Sequence, residues 1–275
     1  MMTTRSERDA IRFASLRADE LRQAAREDAL VILPVASTEQ HGRHLPVMVD
    51  TLLATEIAER AALRLASDGR ALVAPCVWHG LAEHHMSFGG TFTLDFPTFL
   101  AVLRCLCGSL VRHGFRRIAL LNGHGGNEAG LRVVVDELAR DFDAPIVTVT
   151  YWRAAAESFS AILHDQENVR HACEAETSMV LALRPDLVRT DHLADAVGPA
   201  RPSAPEVAGS ALHRWHAFDE RTETGVIGNA AHASADKGER LLKAAAEAVA
   251  ARLGHAEVWR TREPLARVSF LTQGD

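Results

Sequence analysis

Cysteine is the first thing this sequence is short of. Four cysteines in 275 residues, Cys76, Cys105, Cys107 and Cys173, do not make a disulfide framework. Cys105 and Cys107 fall in an apolar helical pattern and are expected to be small buried residues. Long apolar runs are missing as well. No stretch approaches the roughly 18 apolar residues of a spanning helix, and the opening M-M-T-T-R-S-E-R-D-A lacks the apolar segment of a secretory leader. A soluble chain in the reducing cytoplasm is the expectation. Charge of one sign never accumulates: the net charge is −6, which gives no electrostatic case for nucleic acid or an anionic membrane as partner. No repeat, low-complexity tract or linker interrupts the chain, so residues 1–275 read as a single domain with residues 1–28 as a helical lead-in.

A hydrophobic content of 47% supplies a sizeable core. Apolar runs predict strands at about 29–36, 71–78, 117–121 and 145–151. Helical periodicity predicts helices at about 51–66, from Pro97 to near Gly114, after Asn127, at 152–165, at 172–183, and from Ser234 to about Leu253. In the second of these, Phe99, Leu103, Leu106 and Leu110 form the apolar stripe, and Gly114 is the expected left-handed cap. Residues 186–222 are mixed and polar, a surface excursion or an oligomer contact. Strands alternating with helices predict an α/β fold, a parallel sheet covered on both faces. Ligands bind outside the carboxyl ends of such strands.

Three stretches carry chemistry. The first is L-P-V-A-S-T-E-Q-H-G-R-H-L-P-V-M-V-D, Leu33 to Asp50, which places Glu39, His41, His44 and Asp50 within twelve residues of one another. Carboxylate and imidazole donors at this density are what a divalent metal needs. In an extended segment Glu39 and His41 leave the same face. The competing reading makes Asp50 a helix N-cap and the others loop residues. The second stretch is N-G-H-G-G-N, Asn122 to Asn127. Its glycines let the backbone turn sharply beside His124. A phosphate cradle is the rival reading, but the Lys and Ser/Thr of a P-loop are missing. The third is H-A-C-E-A-E-T-S, His171 to Ser178. His171 and Glu176 can share a cleft only if a helix begins between them, and Glu174 can be explained by the helix dipole alone.

Taken in order, E-Q-H-G-x-H-L-P with an Asp before a helix, N-G-H-G-G-N, and H-A-x-x-x-E-T-S resemble the creatininase family of metal-dependent amidohydrolases. The likeness runs from about residue 30 to 250 and includes G-V-I-G-N and A-S-A-D-K-G-E-R-L-L near the end. The resemblance implies a three-layer α/β/α sandwich with a mainly parallel sheet. It implies two divalent metal ions (zinc, manganese or iron) and a homo-oligomer, often a hexamer. Carried over by position, Glu39, His41, Asp50 and His124 are metal ligands, with Asp50 as the bridge. Creatininase itself has a glutamate ligand two residues past the loop histidine, where this chain has Gly126; Glu176 takes its place as fifth ligand. His171 matches a histidine that passes the proton to the leaving nitrogen. Trp152 matches an aromatic that packs on the substrate, with His85, Gly125 and Gly126 as further substrate-binding positions.

The departures concern the substrate. A tryptophan expected four residues before His171 is Glu167, a glutamate at residue 170 is Arg170, and Gly89 replaces a proline in His85-Met86-Ser87-Phe88-Gly89-Gly90-Thr91. The expected activity is hydrolysis of a C–N bond in a small molecule, a cyclic amide or formamide, by metal-activated water. The alternatives are a peptidase of the mycofactocin-maturation type, a hydrolase of a cyclic sugar or inositol ketone, and a non-catalytic phosphate or nucleotide binder. Arg170 or Glu167 is a candidate for selecting a charged end of the substrate. Cys173 reads as a small buried residue.

Overall fold

The computed structural model describes residues 6–66, 69, 71–199 and 214–260. The N-terminal helices are α1 (Glu7–Ile11) and α2 (Ala18–Arg26), separated by a 3-10 turn at Phe13–Ser15. The lead-in is therefore broken where one run was expected. Ser6 Oγ accepts from the Asp9 amide, and the Arg17 amide donates to Glu20, so each helix has its own start. Arg8 and Arg12 reach Glu59, which is buried on the next helix, and Arg8 also pairs with Glu56 there.

Strand β1 (Leu30–Val35) leads into helix α3 (Val49–Leu65), then β2 (Ala71–Val73), α4 (Phe96–Arg112), β3 (Arg117–Asn122), α5 (Glu128–Phe142) and β4 (Ile146–Thr150). The four strands are parallel, in the order β2-β1-β3-β4. Strand alternation feeds two cores. Leu30, Ile32, Ala119 and Leu121 pack with α3 and with two later helices, α8 (Glu174–Leu183) and α9 (Ala235–Leu253). Val31, Leu33, Val35, Ile118 and Leu120 pack with α4 and α5 on the other face. This is the expected three-layer sandwich. Short helices α6 (Tyr151–Ala154) and α7 (Ala156–Ile162) follow β4, in place of one helix over 152–165. Among the described residues no helix is long and apolar enough to cross a membrane.

Other differences have simple causes. The strand expected at 71–78 stops at Val73, because Pro75 cannot continue a ladder; Val77 touches Val35 only as an isolated bridge. Cys107 is buried but Cys105 is exposed, and Leu106 is 40% exposed. Positions two apart on a helix point to opposite sides, so the buried stripe is Phe99, Leu103, Cys107 and Leu110. Gly114 has the expected positive φ, and Ser234 caps α9 through the Lys237 amide. Residues 200–213 of the polar excursion over 186–222 lie outside the described residues.

Candidate metal centre

The site forms where β1 and β3 end. Past Val35 the loop after β1 delivers Glu39 and His41; two residues past β3 the chain delivers His124. Asp50 stands in the first turn of α3 rather than before it, and Met48 is the capping position, so Asp50 is not an N-cap. Helix α8 begins at Glu174, between His171 and Glu176, which is the condition for both to enter one cleft. Ala172, next to His171, holds φ +50, a left-handed conformation that turns the chain into the helix.

Six of these side chains are buried: Glu39, His41, Asp50, His124, His171 and Glu176. Two triads of their donor atoms share Asp50: Glu39, Asp50 and His124, and His41, Asp50 and Glu176; a third joins Glu39, His41 and His171. His124 Nδ1 lies 3.0 Å from Glu39 Oε2 and 3.1 Å from Asp50 Oδ2. His41 Nε2 lies 3.3 Å from Asp50 Oδ1 and 3.8 Å from Glu176 Oε1. Ligands each about 2.0–2.1 Å from one zinc ion lie roughly 3–3.5 Å apart, so the spacing fits.

The outer contacts decide which nitrogen faces inward. His124 Nε2 sits 3.2 Å from the Leu81 carbonyl oxygen, and His41 Nδ1 sits 3.1 Å from the Glu39 carbonyl oxygen. A carbonyl only accepts, so those nitrogens carry hydrogen and the inward ones present lone pairs. Glu39 Oε2 and Asp50 Oδ2, both close to His124 Nδ1, and His41 Nε2, close to Asp50 Oδ1, have no hydrogen-bond partner among the described residues. A buried lone pair aimed at two carboxylate oxygens repels them unless positive charge lies between. The site's electrostatics carry the same demand. Burial pushes the His124 imidazole down, but Glu39 and Asp50 outweigh it and hold it at about 10. Burial opposes the charged form of His41 too, and Asp50 and Glu176 still lift it well above the ordinary range. Burial raises Glu39, while Asp50 is held low because the two imidazoles outweigh its burial. These residues fit a pair of cations with Asp50 shared.

A second tier orients this tier. His85 Nε2 lies 3.2 Å from Glu39 Oε1, and its Nδ1 accepts from the Gln40 amide at 3.0 Å. Gln40 Nε2 also donates to the Gly225 carbonyl, so both its hydrogens are spent; although it lies 2.9 Å from His171 Nε2, the Gln40 backbone carbonyl takes the His171 Nε2 hydrogen at 2.8 Å. That leaves His171 Nδ1 as the nitrogen able to gain or lose a proton. It faces Glu39 Oε1 at 3.6 Å, and burial together with the charge of His41 keeps the ring neutral. Gly126 is required by close approach: a Cβ there would lie 2.3 Å from the Leu81 carbonyl oxygen and 2.5 Å from His124 Nε2. Residue 126 therefore cannot carry a side chain here without disturbing the His124 contact. The loop is also a poor phosphate cradle, since His124 has two carboxylates beside it.

A cavity of about 270 Å³ opens over the centre. Glu39, Asp50, His124, His171 and Glu176 line it, together with Trp152, His85, Gly125 and Gly126. Several lining residues went unrecognised in the sequence: His84, Glu128, Arg153, Phe218 and Arg221. Phe218 lies 4.1 Å from the His85 ring and 4.7 Å from the His171 ring, centroid to centroid, and belongs to the stretch read as surface excursion. No local pattern marks such a residue, because its role comes from a long-range contact. Arg170 lines the cavity and Glu167 does not. Two other candidates are structural. His44 Nε2 meets Thr177 Oγ1 at 2.9 Å, with burial pushing the ring down to about 4, and Glu174 is buried against Lys237 at 2.5 Å. Cys173 is buried, and burial raises its thiol to about 11.

The comparisons agree with this geometry. The creatininase family, described as creatinine amidohydrolase, matches residues 14–253. A creatinine amidohydrolase of Pseudomonas putida is 30% identical over 258 residues, covering 83% of this chain and 90% of that one. A 3-dehydro-scyllo-inosose hydrolase of Thermotoga maritima is 30% identical over 254 residues, 84% of this chain and 79% of the other. A mycofactocin precursor peptide peptidase of Mycobacterium ulcerans is 33% identical over 219 residues, 77% of this chain and 79% of its own. A solved creatininase superimposes with a TM-score of 0.76 at 27% identity, covering 89% of this chain and 96% of that chain. Creatininases have been solved in a manganese form and in a Zn-Zn form. With its fold, its paired triads and its sequence in agreement, this chain belongs to the creatininase family of metal-dependent amidohydrolases.

Proposed function

We propose that the chain hydrolyses a C–N bond of a small cyclic amide or formamide at a two-metal centre held by Glu39, His41, Asp50, His124 and Glu176. The observation that carries this reading is the pair of buried donor triads sharing Asp50. Glu39, Asp50 and Glu176 would bring three carboxylates to two divalent ions, leaving the centre with net positive charge. When bound, such ions polarise a carbonyl oxygen and make a nucleophile available from water near neutral pH. Zinc and manganese suit these donors, with iron as the alternative.

The chain's own groups do the rest. His171 Nδ1 accepts a proton and returns it to the leaving nitrogen, while the Gln40 carbonyl holds the opposite nitrogen and fixes the ring. Glu176 serves as ligand and as the neighbour that steadies His41. Trp152 and Phe218 form apolar walls that exclude water from the amide, His85 backs the substrate face, and Gly125 and Gly126 leave space beside His124. We read the chain as one cytoplasmic domain working as a homo-oligomer.

The second reading keeps the centre and changes the bond: a peptide, or the C–C bond of a cyclic ketone. It is favoured by the likeness to the peptidase and the inosose hydrolase. The test is elemental analysis of protein purified without chelator, followed by turnover of cyclic amides, formamides, short peptides and a cyclic polyol ketone. About two equivalents of metal and metal-dependent amide turnover are expected. Turnover of only the peptide or the ketone moves the assignment to the second reading. Protein that takes up no zinc, manganese or iron overturns both.

A further inference from the structure

The cavity over the centre has a charged mouth. Arg153, Arg170 and Arg221 line it against one rim carboxylate, Glu128. That surplus of positive charge stands in a chain whose net charge is −6. The three guanidiniums are not equivalent. Arg153 is committed, its Nε and Nη2 each 3.3 Å from a Glu128 carboxylate oxygen. Arg221 lies over the Phe218 ring at 5.5 Å, a cation–π contact that holds the head group at the wall. Arg170 is exposed, lines the same cavity and is in no ion pair among the described residues. Between this rim and the centre stands His84, 5.7 Å from the His124 ring and 6.1 Å from Phe218, centroid to centroid.

A substrate seated here has two unlike ends. Its carbonyl meets the buried donors, and its far end meets guanidinium groups that offer forked donors suited to a carboxylate or a phosphate. We propose that the substrate is an amide carrying an anionic group at the end away from the scissile bond, bound by Arg170 and Arg221. This rests on the two-metal reading of the same cavity. Attraction of an anion to a rim carrying these guanidinium groups also raises its local concentration there.

The probe is a set of short hydroxamic acids of equal length whose tails end in a carboxylate, a phosphonate or a neutral amide. The hydroxamate binds the metals, so the tail alone reads the rim. Calorimetric titration of the metal-loaded protein is expected to show at least one anionic tail binding about tenfold or more tighter than the amide tail. The better of the two identifies the anion. The advantage is expected to shrink with added salt and to be largely lost in Arg170→Gln, with partial recovery in Arg170→Lys; amide-tail binding stays unchanged in both variants. Equal binding of all three tails overturns the proposal and leaves the metal centre standing. An advantage that survives in both Arg170→Gln and Arg221→Gln overturns the assignment to these residues. Failure of every hydroxamate to bind overturns the two-metal reading, and the proposal with it.

Discussion

Among the described residues, histidine and carboxylate atoms come within 4.8 Å of one another in two places: the overlapping triads at the sheet end, and His164, Asp165 and His232 on the surface. By distance alone they are alike. At the surface each short distance has its own explanation. His164 Nδ1 meets Asp165 Oδ1 at 2.6 Å, His232 Nε2 meets Asp165 Oδ2 at 3.1 Å, and Asn229 donates to the same oxygen. The two rings stack at 4.2 Å. Those groups satisfy one another, with water available to finish the task. At the sheet end the side chains are buried, outer carbonyls hold each imidazole hydrogen away from the centre, and inward atoms lack hydrogen bonds among the described residues. The comparison teaches that donor density does not make a metal site. Orientation by an outer tier, under burial, does.

Removing the shared carboxylate breaks the comparison most severely. Asp50→Ala takes one ligand from both triads. Metal content is expected to fall from about two equivalents to near none, and turnover by roughly 10³-fold or more. Loss of one carboxylate from a like-charged group relieves repulsion, so circular dichroism is expected to show a folded chain. Full retention of both ions would mean that Asp50 is not shared. Gly126→Ala attacks the outer tier instead. Its methyl group meets the Leu81 carbonyl that fixes His124, and a disturbed outer contact weakens metal binding by about 10- to 100-fold. Competition with a chelator measures this, and unchanged affinity would show that the Leu81 contact does not orient His124.

Metal removal sharpens the contrast through pH. In chelated protein, protons supply the positive charge that the buried carboxylates demand. His124, held at about 10 against an ordinary 6.5, binds a proton in the folded state that the unfolded chain releases. Its contribution is complete below about pH 6.5 and disappears as pH rises through the folded value. Denaturant unfolding of the chelated protein is therefore expected to show stability falling between about pH 7 and pH 10. The metal-loaded protein is expected to show a much flatter profile, since its cations do not titrate. Equal slopes would place the demand for positive charge elsewhere.

How much of this was legible in the sequence follows from where each determinant lies. Glu39, His41 and Asp50 share one local stretch and His124 sits in a loop of its own, so chemistry and spacing pointed to them. Glu176 was readable only through the family resemblance, because its use depends on α8 starting after His171. The strand and helix order came from apolar periodicity. Its errors at Cys105, Leu106 and the end of β2 are one-position phase errors or a proline. Phe218 and Arg221 carry no local signal, since they reach the cavity across a long excursion. His44, two residues past Gly42, has the composition of a ligand and the contacts of a brace. Sequence density could not separate it from His41, because the difference lies in which way each ring points.

The smallest effect comes from the surface cluster, and it tests the criterion itself. His164 and His232 are 63% and 42% exposed at the side chain. Ion pairs in high dielectric contribute little and are screened by salt. Replacing both with alanine is expected to move Tm by no more than about 1–2 °C and to leave metal content after dialysis at the wild-type value. Turnover is expected to be unchanged, since none of the three residues lines the cavity. Loss of one tightly held equivalent in this double variant would make the surface cluster a true site. Burial and outer-tier orientation would then fail as the property that separates the two clusters, and the count of ions at the sheet end would have to be taken again with the surface ligands removed.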